Sequence, residues 1–128
     1  MNDFIYTVET QKSFDMAVDT VVNETEKVDF RVLYIHDVQE TLSKKGLSIN
    51  SLKIIEICNA KNAFEAIQQN ISLSLMLPCK INVYEKDGKV YISALRPKII
   101  KEIFPDTDID HLISEVDDKV KKIVDGAK

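Results

Sequence analysis

Tryptophan is absent from this chain, and glycine and proline occur only three times each. With so few glycines there is no material for a phosphate-cradling loop of the GxGxxG or GxxxxGK type. Cysteine occurs twice, as Cys58 and Cys79, with no CxxC spacing and no histidine pair nearby. A structural zinc site wants four ligands, so no metal is expected, and no other cofactor is indicated. No run approaches the ~18 apolar residues that a membrane span needs. The opening MNDFIYTVET has no basic stretch leading into an apolar one, so a cytoplasmic location is expected, without a membrane partner. In that compartment two cysteines are not expected to form a structural disulfide. Arginine is scarce as well. Lysine and arginine total 17, yet only Arg31 and Arg96 are arginines, and the net charge is -4. Nucleic-acid binding rests on neutralising phosphates, so it is not expected.

What is present is globular in character. Hydrophobic residues make up 45% of the 128 positions and charged ones 30%. That is enough to bury a core without disulfides, and no repeat or linker divides residues 1–128, so one domain is expected.

Phe4 to Val8 reads as a short first strand. Ser13 is a fitting N-cap for a helix whose Phe14, Ala17, Val18, Val21, Val22 and Val28 share one side. Phe30 to Val38 reads as a second strand, with Phe30, Val32, Tyr34 and His36 on one face and Arg31, Leu33, Ile35 and Asp37 on the other. Gln39 to Lys45 can form a helical turn closed at Gly46. Leu52 to Cys58 is apolar at nearly every position, the pattern of a central strand covered on both sides. Asn59 then caps a short helix, Ala60 to Gln69, expected to bury Ala63, Phe64 and Ile67. Ile71 to Leu77 alternates strictly and is expected to be extended, with Pro78 marking a bend or an edge.

Asp87-Gly88 between Lys80–Lys86 and Lys89–Leu95 is the signature of a two-residue type I′ hairpin. That turn sets the register: Tyr84 faces Tyr91 and Asn82 faces Ser93 on one side, while Val83 and Ile81 face Ile92 and Ala94 on the core side. Tyr84, Tyr91, Asn82 and Ser93 thus form a half-wet face suited to binding or dimerisation. Pro97 opens a short helix, Lys98 to Phe104. Asp108 or Asp110 is expected to cap a last helix striped with Ile109, Leu112, Ile113, Val116, Val120 and Ile123, and Gly126 to end it. The order β-α-β-β-(α)-β-β-α argues an α+β fold, a mainly antiparallel sheet with helices packed on one face.

Few residues invite chemistry. Cys58 ends a strand just before the helix capped by Asn59, where a helix N-terminus favours a thiolate. Cys79 lies between Pro78 and Lys80. Cysteine is also among the most buried residue types, so both thiols have an inert reading as small hydrophobes. Glu56 on a sheet strand needs a partner or a raised pKa if buried. His36 ends the second strand. No complete catalytic set is readable, and an enzyme is not the favoured reading.

The segments Tyr6-x-Val-Glu-Thr10, Ser13-Phe-x-x-Ala-Val18, Ile35-His-Asp-Val38, Ile55-Glu-Ile-Cys-Asn59 and Leu77-Pro-Cys79, with the acidic-Gly hairpin behind them, resemble the domain-of-unknown-function 302 family over nearly the whole chain. Its usual Cys-Asn-Pro is Cys-Asn-Ala here, at a helix position that tolerates either residue. The resemblance implies a TATA-binding-protein-like fold, often paired into a dimer, and carries no activity. It directs interest to Cys58, Asn59, Pro78 and Cys79. The leading expectation is a homodimeric module that binds a small molecule or partner through Cys58, Asn59, Cys79, Glu56 and His36. The alternatives are a thiol-based redox or sulfur-handling protein and an assembly protein with inert cysteines.

Overall fold

The hairpin builds the middle of the molecule. In a computed structural model that describes residues 3–128, Asp87 and Gly88 take φ of 52° and 77°, the two left-handed positions of a type I′ turn. They join β4 (Cys79–Lys86) to β5 (Lys89–Leu95) in the expected register, Tyr84 opposite Tyr91 and Asn82 opposite Ser93. β1 (Ile5–Thr10) pairs with β5. β3 (Leu52–Cys58) pairs with β4, and β2 (Arg31–Asp37) with β3. The result is a five-stranded antiparallel sheet of order β1-β5-β4-β3-β2.

Inward side chains of alternate positions meet the helices on one face only. Ile55, Ile57, Ile81, Val83 and Ile92 are fully buried there. They pack with Ala17 and Val21 of α1 (Phe14–Lys27) and Val120, Ile123 and Val124 of α5 (Asp110–Ala127). Ser13 caps α1 by accepting from the Met16 amide at 3.2 Å. Among the described residues, the other face carries no layer. β3 is therefore an interior strand with one open side, not a doubly covered one: Ile54 and Glu56 are half-buried. β4 holds the central position.

Four further expectations are corrected. β2 does not alternate regularly, because a bulge lies between Val32 and Tyr34. Val32 pairs with the core residue Ile57, whereas Tyr34 pairs with Glu56 on the open face. The extra residue, Leu33, flips the later side chains across the sheet. Second, Ile71–Met76 is a 3₁₀ helix, not an extended segment. Asn70 Oδ1 accepts from the Ser72 amide and Ser74 Oγ donates to the Ile71 carbonyl, which draws the chain into turns. Only Leu73 faces inward, while Ile71 and Leu75 are exposed.

The third correction concerns α3 (Ala60–Gln69), whose bounds match expectation while its inward face does not. Asn62 is buried and Phe64 is 64% exposed. Fourth, neither Asp108 nor Asp110 caps α5; Ile109, buried in the satellite cluster, holds the N-cap position, and its hydrocarbon side chain has no acceptor to offer. Gly126 does not end that helix either. A Cβ at Gly126 would overlap the Glu24 carboxylate, so the glycine leaves room for the Glu24 side chain beside α5. The remaining short helices, α2 (Val38–Ser43) and α4 (Ile99–Ile103), lie where expected. Asp37 caps α2, accepting from the Glu40 amide at 3.0 Å.

Candidate functional site

A second, smaller apolar cluster stands beside the main core. It comprises Leu73 with Ile109, Leu112 and Ile113, against which Ala66, Ile100, Phe104 and Val116 pack. Between the two cores lies a cavity of about 50 Å³. Its cause is local: α3 turns Asn62, Ala63 and Ala66 toward the space, and these side chains are too short to close it. The main core contributes Phe30 and Ile57, and the satellite cluster supplies Leu73 and Leu112. Among the described residues, no charged side chain lines the cavity.

Cys58, Asn59 and Cys79 all reach this wall. The sheet brings the thiols together, since Ile57 pairs with Cys79 and leaves Cys58 one residue further along β3. Both side-chain polar atoms of Asn59, which also lines the cavity, have a partner. Its Oδ1 accepts from the Asn62 amide at 2.9 Å, capping α3, and its Nδ2 donates to the Asp29 carbonyl at 3.0 Å. It ties α3 to the turn between α1 and β2. Asn62 is the residue that sequence reasoning missed. Its Nδ2 is buried and has no hydrogen-bond partner. The available signal was a polar residue on the same stripe as Ala63 and Ala66, one helical turn after the cap.

The thiols are not activated. Burial pushes the Cys58 thiol above its ordinary value of 9.0. Cys79 is pushed up to about 11, chiefly by burial and further by the nearby Cys58, with Lys80 opposing. Both are free thiols. Among the described residues, no three His, Cys, Asp or Glu side chains gather in a way that could hold a metal ion.

Glu56 and His36 lie elsewhere. The β2 bulge sets His36 on the open face, where its Nε2 is 2.8 Å from Glu56 Oε2. Tyr34 meets the His36 ring edge-on at 4.6 Å, and Lys80 is the cross-strand neighbour of Glu56. The pair lines a shallow hollow with Val38, Thr41 and Ile54, and takes no part in the cavity. Tyr84 and Tyr91 stack on the same open face at 5.4 Å, and Ser93 Oγ is 2.7 Å from Thr7 Oγ1. Pro78 follows Leu77 through a cis peptide and lines a surface groove that shares Cys79, Pro97 and Ile100 with the cavity. On the other side a polar depression bordered by Lys61, Glu65 and Glu115 shares Asn59 and Asn62 with it.

No curated protein matches the chain. Among solved structures it is similar to one described as the crystal structure of an uncharacterized conserved protein DUF302 from Bacillus stearothermophilus. That match has 23% identity and a TM-score of 0.93, and covers 99% of this chain and 100% of that one. No helix is long and apolar enough to cross a membrane among the described residues. The family model described as "Domain of unknown function DUF302" matches residues 6–127, and the chain belongs to that family.

Proposed function

We propose that this protein is a small-ligand-binding module whose site is the cavity between its two apolar cores. The observation that carries the reading is an uncharged cavity with one buried, unpartnered amide in its wall. Native proteins leave few such groups, and each calls for a partner. An apolar wall with a few polar groups is the usual build of a small-molecule site, and at about 50 Å³ this one admits only a few non-hydrogen atoms. The test is a methyl-region NMR titration with xenon and propane, probes small enough for a space of about 50 Å³. Saturable shifts confined to Leu73, Leu112 and Ile113, and abolished by Ala66→Leu, support the reading. Shifts that are absent, or scattered over the surface at millimolar probe, overturn it.

A second copy of the chain is the proposed cover for the open sheet face. What supports this is the apolar content of that face: Ile5 pairs with Leu95, each 50% exposed, and Tyr34, 59% exposed, lies on the same face as the tyrosine stack. Size-exclusion chromatography with light scattering should give twice the 14.6 kDa monomer mass, reverting to one copy in Leu95→Glu. A monomer at every concentration would remove this part of the reading. Redox or sulfur handling by Cys79 or Cys58 is the weaker reading, because burial disfavours the nucleophilic thiolate at both.

A further inference from the structure

The surface groove at Pro78 has no part in the reading above. One side of it is the 3₁₀ helix and the Pro78 bend, and the other is the end of β5 leading into α4. Its volume is about 230 Å³, and Leu75, Met76, Pro78, Leu95, Pro97 and Ile99 give it an apolar lining. Leu75 is 83% exposed, more than any other large hydrophobic side chain among the described residues, so water meets an apolar wall here. Two cations border the groove, Lys80 and Arg96. Arg96 is engaged with both carboxylate oxygens of Asp117. Lys80 is not so engaged. The β4–β5 register, with Ile81 opposite Ala94, sets Lys80 beside Leu95, and its Nζ turns toward the groove wall, 3.5 Å from the Pro78 carbonyl. Glu56, its cross-strand neighbour on the other side, pairs with His36 instead. An ammonium with three donors thus has one long contact, at the rim of an apolar trough.

We propose that this groove binds an aliphatic monocarboxylate, with its tail along Leu75, Met76 and Ile99 and its carboxylate on Lys80 Nζ. The groove sets the size: an engineered cavity of about 150 Å³ takes benzene, so about 230 Å³ suits on the order of eight or nine non-hydrogen atoms, the size of hexanoate. Each methylene removed from water contributes up to about fourfold in affinity, and the lysine selects the charged end. Leu95 also belongs to the face proposed above for a second copy, so a bound tail and that copy compete for the same edge.

The experiment compares hexanoate with hexanamide, tails of the same length of which only one is charged, by methyl-region NMR on dilute protein. Both should shift the Leu75, Met76, Leu95 and Ile99 methyls saturably, and acetate, which lacks the tail, should leave them still. The shifts should persist in Ala66→Leu, since Ala66 lines the cavity and not the groove. Taking the ratio of the two dissociation constants within each protein cancels the different hydration of the probes. In Lys80→Met, at an exposed position, hexanoate should weaken relative to hexanamide by about threefold to fivefold, the effect of one surface ion pair. Raised salt should weaken hexanoate and spare hexanamide, which carries the test if Lys80→Met fails to fold. A ratio that is the same in both proteins and indifferent to salt overturns the carboxylate assignment. Shifts abolished by Ala66→Leu would put the probe in the cavity and overturn the groove site. Groove methyls that ignore both probes, or move only with protein concentration as a subunit contact does, overturn it as well. None of these last results touches the cavity reading, which xenon and propane test separately.

Discussion

Alkylation of the two cysteines as a function of pH separates a ligand-binding wall from a redox site. A thiol at its ordinary 9.0 is about one-tenth ionised at pH 8, whereas Cys79 at about 11 is about one-thousandth ionised. Thiolate scarcity alone slows its reaction about a hundredfold. A more basic thiolate is intrinsically the better nucleophile, with a Brønsted slope near 0.4–0.5, which returns roughly six- to tenfold. The net expectation is about a tenfold slower reaction than in the unfolded chain, before restricted access slows it further. Iodoacetamide pulses between pH 7 and 10, read by mass spectrometry on each cysteine, measure this directly. The Cys79 rate should keep rising about tenfold per pH unit through pH 10, while the unfolded protein levels off near pH 9.

Stability follows with a definite sign. The folded thiol holds its proton more tightly than the unfolded one, so its contribution is intact below about pH 9. It is lost as pH climbs toward 11, at up to about 1.4 kcal/mol per pH unit. Urea midpoints at pH 8 and pH 10 should therefore fall more steeply in the native protein than in Cys79→Ala. If Cys79 in the folded protein reacts at pH 7–8 as fast as in urea, the burial argument is wrong and the thiol chemistry takes precedence.

Other substitutions probe the frame around the site. Ala66→Leu should fill the cavity and raise stability by up to about 1 kcal/mol, from about 50 Å³ at about 24 cal/mol per Å³; a loss of several kcal/mol in urea would mean that the space is not there. Arg96 grips the nearly buried Asp117 through both carboxylate oxygens, so Arg96→Met strands that charge. It should cost about 3 kcal/mol, or roughly 10 °C in Tm, and a Tm within a few degrees of native would refute the pairing. At Gly88 a Cβ meets open space but φ is 77°, so Gly88→Ala should cost about 1 kcal/mol from backbone strain alone, and equal urea midpoints would count against the I′ turn.

The parts of the fold that were legible in the sequence are those governed by local chemistry. Asp87-Gly88 sets a turn whose register propagates through β4 and β5 without help from the rest of the molecule. Asn59 marks the start of α3 because its carboxamide is worth more at a cap than inside a helix. The failures arise where tertiary packing chooses among locally similar options. Ile71 to Leu77 alternates as a strand does, yet with a turn-forming asparagine before it only Leu73 is needed in the core. A bulge inserts Leu33 with no glycine to announce it, and so moves His36 to the face where Glu56 waits. α3 was expected to bury its largest side chain, but the helix presents its small residues and leaves Phe64 outside.

That last reversal creates the candidate site. Had Phe64 pointed inward, the gap between the two cores would be filled, and Asn62 would be an ordinary surface residue. Instead the Cys-Asn junction and the Leu-Pro-Cys bend, conspicuous in the sequence for their cysteines, meet at a wall where the thiols are neutral. The chemically distinctive atom there is Asn62 Nδ2.

The most direct measurement on the cavity is a crystal structure determined under xenon pressure. Xenon is apolar and of a size to occupy such a space, and its scattering locates it without assumptions about the natural ligand. A xenon atom is expected between α3 and α5, in contact with Ala66, Leu73 and Leu112. Side chains closed over that position, with xenon absent or bound only elsewhere, would contradict it.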